Sequence, residues 1–274
     1  MSTVILLYII IFTYGILIGS FLNVLIYRIP KKENIAIVRS HCMKCGYQLK
    51  WYDLVPLFSW LFLGGRCRKC REKISIQYPL VEAVNGIFYV IVFYYYGLSI
   101  ESLLYCLLFS ALLALSVIDF RTYEIPVGFN YFILILGLIR LVTDLQNWPT
   151  YCIGFLAVSG FLYLLVVLSG GRAMGGGDVK LMATCGLLIG WKLILLAFIL
   201  GCILGSVIHI IRMKVSKQGH VLAMGPYLSM GIAIAVLYGE RFLQWYFYDF
   251  LGSFYQSTVR SIAFSRANAI SSST

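Results

Sequence analysis

Two aspartates, Asp119 and Asp178, each stand where an apolar stretch meets polar sequence. A carboxyl group at the edge of a membrane-length apolar segment is costly to keep there, and two of them brought together can divide the work of general base and general acid. A hydrolytic site is the chemistry this pair suggests. A second reactive set, Cys42, Cys45, Cys67 and Cys70, forms two CxxC pairs separated by 21 residues. Each pair can chelate from one tight turn, so the spacing predicts a four-thiolate zinc site. A redox pair and a disulfide framework are the competing readings, and a cytoplasmic location weighs against stable disulfides. His41 is an alternative ligand, although four thiolates already close the tetrahedron.

Each acid also has a plainer explanation. Asp178 ends the run Gly175-Gly176-Gly177 ahead of an apolar helix, a setting that suits a helix N-cap. Asp119 follows an apolar segment, so the helix macrodipole opposes its charge and Arg121 is at hand to pair with it. The opposite helix ends lead to the expectation that Asp178 is the base that activates water and Asp119 the proton donor, although a coupled pair titrates as a unit. The glycines allow the segment carrying Asp178 to approach a neighbouring helix closely.

The elements that must position these groups are membrane helices. The chain has 274 residues, 61% of them hydrophobic and only 12% charged, with several runs near the ~20 residues that span a bilayer. The expected fold is all-α and polytopic, with eight transmembrane helices at 4–27, 78–96, 100–118, 128–142, 151–168, two within 179–211, and 221–238. The stretch 179–211 is split at Gly190-Trp191-Lys192, because a reversal there keeps Arg212, Lys214 and Lys217 on the cytoplasmic side. The loop 28–77 holds eleven of the 22 Lys and Arg residues, which assigns it to the cytoplasm and puts both aspartates on that face. The first helix lacks a basic leader and reads as retained, not cleaved. The expected organisation is a first helix (1–27), a tetra-Cys loop domain (28–77), a multi-helix catalytic membrane domain (78–238) and an aromatic, then Ser-rich tail (239–274). No internal repeat stands out. The net charge of +11 follows from topology selection, so nucleic acid is not an expected partner. Cys106, Cys152, Cys185 and Cys202 lie in apolar spans and read as small packing residues. His209 and His220 make no convincing triad with any serine or cysteine.

The segments 19–28, 51–60 and 77–82, the two CxxC pairs, Ile118-Asp119 with Ile125-Pro126, 177–182 and Gly225-Pro226-Tyr227 occur in order across residues 15–235. Together they resemble the bacterial type IV prepilin peptidases, membrane aspartyl proteases of the GxGD type. The resemblance implies an endopeptidase of the bacterial inner membrane that removes a short basic leader from type IV prepilins or secretion pseudopilins at the cytoplasmic face. Many relatives also methylate the new N-terminus with S-adenosylmethionine. It further implies that Asp119 and Asp178 are the catalytic acids, supported by Gly175, Gly177 and Lys180, and that Cys42, Cys45, Cys67 and Cys70 are the zinc-type thiols. One departure is Val127, where the family often has Asp after Ile-Pro. No Gly-rich dinucleotide fingerprint marks a methyl-donor site, and Gly19, Asn23 and Gly65 are the residues considered for it, with helix packing and a turn as alternatives. An ion- or proton-coupled transporter is the main rival, since acids can relay cations, but transport does not require the thiols. A zinc-anchored scaffold is the second, and it leaves the acids unexplained.

Overall fold

The computed structural model describes residues 2–35, 39–171, 175–216 and 223–250. His220, Lys217 and the Ser-rich end of the tail lie outside the described residues. Among the described residues ten α-helices run in order: α1 Ser2–Lys31, α2 Phe58–Phe62, α3 Gln77–Tyr96, α4 Ile100–Thr122, α5 Val127–Thr143, α6 Trp148–Ala157, α7 Ser159–Leu168, α8 Gly176–Ile189, α9 Trp191–Ser216 and α10 Gly225–Gln244. Among the described residues the only β pairing is two isolated bridges.

Local sequence sets the ends of these helices. Ser99 caps α4 by accepting a hydrogen bond from the Ser102 amide at 3.1 Å. At its other end Tyr123 turns left-handed (φ 56), and Pro126 with φ −62 opens α5 two residues after Glu124. The apolar stretch 179–211 is broken at Gly190, whose φ of 82 ends α8 and lets α9 start at Trp191.

Helix α4 lies at the centre, packed against α1, α3, α5 and α10, while α8 packs against α5, α6, α7, α9 and α10. Leu115, Ile118, Leu181, Met182 and Leu228 are fully buried in one core that joins α4, α8 and α10. A polar chain threads the packing of α1, α3 and α4. Asn85 donates to the Gly15 carbonyl (2.8 Å) and accepts from Ser110 (2.9 Å), which lies 3.0 Å from the Tyr89 hydroxyl. Interhelical bonds in a membrane contribute only ~0.6 kcal/mol each, so this chain fixes helix register more than it adds stability.

Among the described residues five helical stretches are long and apolar enough to cross a membrane: Thr3–Lys31, Gln77–Tyr96, Ile100–Thr122, Leu145–Leu168 and Trp191–Lys214. The expected eight included three more, at α5, α8 and α10. Helix α5 is apolar but has 17 residues. Helix α8 has 14, about 21 Å of rise, against a hydrocarbon core of about 30 Å. The reason α8 need not meet that length is that Leu181–Ile189 is buried throughout by other helices, so protein rather than lipid surrounds it.

Candidate active site

Asp119 sits in the last turn of α4 and is 4% exposed; Asp178 sits in the first turn of α8 and is 8% exposed. They lie close enough for the charge of one to act on the other. One oxygen of Asp119, Oδ2, accepts a hydrogen bond from the Gly225 amide at 2.9 Å. That amide belongs to the first turn of α10, so three helices, α4, α8 and α10, converge on the pair. A Cβ placed on Gly225 would fall 2.6 Å from Asp119 Oδ2, which leaves no room for a side chain there.

Asp178 does not cap its helix. The N-cap position belongs to Gly175, and Asp178 Oδ1 is buried with no hydrogen-bond partner among the described residues. Leaving such an oxygen unmatched costs about 1–3 kcal/mol, a cost that a water or a substrate group bound there would relieve. Nor does Arg121 pair with Asp119: its guanidinium donates to the Gln77 side chain and ties the end of α4 to the start of α3. The contrast expected from opposite helix ends also weakens, because the N-terminal amide of α10 reaches Asp119 from outside its own helix. Helix polarity alone therefore does not assign base and donor.

The glycine run has unequal members. At Gly177 a Cβ would lie 3.1 Å from the Ile125 side chain, so Gly177 lets α8 press against the link between α4 and α5. Gly175 and Gly176 are exposed and uncrowded, and Lys180 is also exposed.

The four thiols converge as spaced. The sulfur atoms of Cys42, Cys45, Cys67 and Cys70 all lie within 4.8 Å of one another, with Cys42 and Cys70 at 3.7 Å. Zinc–sulfur bonds of about 2.3 Å in a tetrahedron put sulfurs about 3.8 Å apart, so the cluster has the size and donor set for zinc. Each pair sits on a similar knuckle. The Cys42 amide donates to Tyr47 and the Gly46 amide returns to Cys42, just as the Cys67 amide donates to Glu72 and the Arg71 amide returns to Cys67. The isolated bridges His41–Gln48 and Arg66–Lys73 close the two knuckles at equivalent positions, a short repeat that the sequence reading passed over. Lys44 and Glu72 form an ion pair across them. Hydrogen bonds from the Cys45 and Lys44 amides pull the Cys42 thiol down to about 6, towards the thiolate a metal needs.

Between this module and the helices lies a cavity of about 410 Å³, lined in part by Ser20, Asn23, Tyr27, Asp53, Trp60 and Glu82. Of the three residues considered for a methyl donor, only Asn23 lines it. Its side chain donates to the Tyr78 carbonyl at 3.1 Å, while its oxygen is buried without a partner among the described residues. Gly19 instead lets α1 meet α3: a Cβ there would fall 2.7 Å from Glu82 Cα. Gly65 adopts φ 65 and sits under the Trp60 ring in a turn. Glu82 was legible only as part of a longer motif; the signal that marks it singly is an acid inside an otherwise apolar helix.

Comparison with known proteins agrees with this architecture. Residues 13–96 match the bacterial peptidase A24 N-terminal domain, and residues 106–210 match the type IV leader peptidase family. A prepilin leader peptidase/N-methyltransferase of Pseudomonas putida is 32% identical over 258 residues, covering 83% of this chain and 89% of the relative. Proteins of the same name from Stutzerimonas stutzeri (33% identical over 260 residues, 83% and 89% covered) and Bacillus subtilis (31% over 250 residues, 89% and 99% covered) are similarly alike. No solved structure matches the chain. With both of its halves matched in order and relatives of this likeness aligned over most of its length, the chain belongs to the type IV leader peptidase family.

Proposed function

We propose that this protein is a prepilin peptidase of the bacterial inner membrane, in which Asp119 and Asp178 hydrolyse the bond between a basic leader and the apolar helix of a type IV prepilin or pseudopilin. The observation that carries this reading is the pair of buried acids, one with an oxygen left without a partner, where three helices converge. One carboxylate takes a proton from water as the oxygen attacks the scissile carbonyl, and the other carboxyl protonates the departing amine. No covalent acyl-enzyme forms. The pair shares a proton and works as a unit, Gly225 holds one oxygen of Asp119, and Gly175 and Gly177 shape the turn from which Asp178 projects. Lys180, exposed on the same helix, takes a supporting role beside the pair.

Several finer features belong to the same reading. The pair faces the cytoplasm, the side to which the basic loop 28–77 is assigned by charge. Three shorter or more polar helices, α5, α8 and α10, complete an eight-crossing topology with the five long ones. The division into 1–27, 28–77, 78–238 and a tail follows from it. Zinc on Cys42, Cys45, Cys67 and Cys70 supplies folding energy to a loop too small for its own core. The protein also methylates the new N-terminus with S-adenosylmethionine, which would supply an electrophilic methyl group. Asn23 lies where such a donor fits, with Gly19 and Gly65 shaping the surroundings.

The test is purified full-length protein in detergent with a synthetic prepilin-like precursor, read by mass spectrometry. Discrete leader loss with one added methyl group is expected. An intact precursor would contradict the peptidase, and proton or cation flux in vesicles that depends on Asp119 and Asp178 would favour the transporter instead.

A further inference from the structure

The cavity beside the zinc module contains carboxylates with different partners. Asp53 is paired with Arg68 at 2.7 Å, and Glu72 with Lys44. Arg28, also on the wall, is turned towards the backbone carbonyls of Asn34 and Ile35. Glu82 is different: it is 6% exposed and accepts from the Leu57 amide at 2.8 Å, with Ser20 on the same wall, yet no cation pairs with it among the described residues. A neutral backbone donor holds its orientation without cancelling its charge. A buried carboxylate facing a cavity without a counter-ion suits a cationic guest.

The position of Glu82 matters as much as its charge. Gln77 opens α3 and accepts from Arg121, two residues beyond Asp119 on α4. Glu82 follows Gln77 by five residues, about 7.5 Å along the helix. The carboxylate in the cavity and the acid pair therefore lie at the same end of the helix bundle. An amine released at the acids has a short way to travel.

We propose that Glu82 is the base of the methyl-transfer reaction: with S-adenosylmethionine lodged in this cavity against Asn23 and Trp60, its carboxylate takes the proton from the amine that leader cleavage exposes. The inference rests on the methyl-transfer reading above and assigns that reaction its base. The new N-terminus leaves the first site as an ammonium ion, which has no lone pair to offer. Glu82 accepts one proton, and the amine nitrogen then forms its bond to the methyl carbon as the carbon–sulfur bond breaks and its electrons return to sulfur. The methylated product carries the positive charge away, and Glu82 passes its proton to water. Charge, protons and electrons balance, and no other co-reactant is needed.

Full-length protein in detergent is tested with the precursor and, separately, with S-adenosylhomocysteine by calorimetry. Wild type is expected to cleave, methylate and bind S-adenosylhomocysteine. Glu82→Gln keeps the hydrogen bond from Leu57; it is expected to cleave and to bind S-adenosylhomocysteine within a few-fold of wild type, while methylated product falls by about a hundredfold or more. Glu82→Asp recovers part of that loss. Ser20→Phe, which puts a ring into the cavity, is expected to weaken S-adenosylhomocysteine binding by at least about tenfold. Methylation by Glu82→Gln at the wild-type rate, or unchanged binding in Ser20→Phe, would overturn the proposal while leaving methyl transfer itself standing. Wild type that cleaves but neither methylates nor binds would remove methyl transfer and this site together.

Discussion

The thiol module and the acid pair solve opposite problems. In the module, four ligands from 29 consecutive residues meet through two short knuckles, each closed by its own backbone hydrogen bonds, and the cluster stands at the surface with Cys70 exposed. The acid pair has no such local support. Asp119 and Asp178 come from separate helices, and the amide that holds Asp119 comes from 106 residues further on. The first assembly is held by short-range chain geometry and has the donor set for a metal; the second exists only when α4, α8 and α10 are packed. Damage to the module should therefore be local, whereas damage to the helix packing should reach the chemistry.

The largest effect should come from the acids themselves. Asp119→Asn or Asp178→Asn is expected to lower cleavage by about 10²–10⁴-fold with the protein still folded, as judged by its melting transition. Next comes Gly225→Ala, whose added carbon would strike Asp119 Oδ2. It should cut kcat steeply and leave KM for the precursor near wild type, because the nearest atoms that the added carbon meets all belong to Asp119. A rise in KM with kcat intact would place Gly225 in substrate binding.

Stripping metal sharpens the comparison from the other side. A strong chelator, or Cys42→Ser, should open the chain around residues 39–75 to limited proteolysis and abolish methylated product, while leader cleavage survives in larger part. Equal loss of both activities would mean that the module also braces the acid site. In metal-free protein the thiols should also differ. Cys42, pulled down to about 6 by the Cys45 and Lys44 amides, should alkylate quickly at pH 7 and slow as pH falls through 6. Cys70 feels the amide at Glu72 in the same sense, but local desolvation within the thiol cluster and the hydrogen bonds it shares with Cys45, Cys67 and Cys42 outweigh it and push it up to about 12, so it should react last. Because the thiolate of Cys42 is favoured by the fold, its contribution is present above its unfolded value and is lost as pH drops through the folded one. The smallest effect is expected for Lys44→Ala: the Lys44–Glu72 pair is exposed on both sides, and its loss should not measurably change the melting transition.

The two regions also differ in how far the amino-acid sequence discloses them. CxxC spacing fixes ligand geometry over a few bonds, so the thiol cluster is readable before any fold is known. For the acids, residue type and position at the rim of apolar stretches are readable, and so is the helix break at Gly190. Their partners are not. Gly225 contributes only a backbone N–H, a group that nearly every residue owns, and the nearest sign of it is the Gly-Pro step that opens α10. Arg121 looked like the partner of Asp119 because it is two residues away, but on a helix that spacing points the side chains apart. The number of crossings is less legible, because apolar length does not distinguish contact with lipid from contact with protein, and α8 is short and covered by protein. Glu82 escaped singling out because a lone acid in an apolar helix acquires meaning only once its neighbours are known to lack a cation.

The most direct test of the central claim is a double-mutant cycle on cleavage of a prepilin-like precursor, comparing Asp119→Asn, Asp178→Asn and the double variant. If the two carboxyls act as one unit on one water, either single change removes nearly all of the acceleration and the double change removes little more. Single variants with near wild-type turnover, or losses that simply multiply in the double variant, would contradict a shared site.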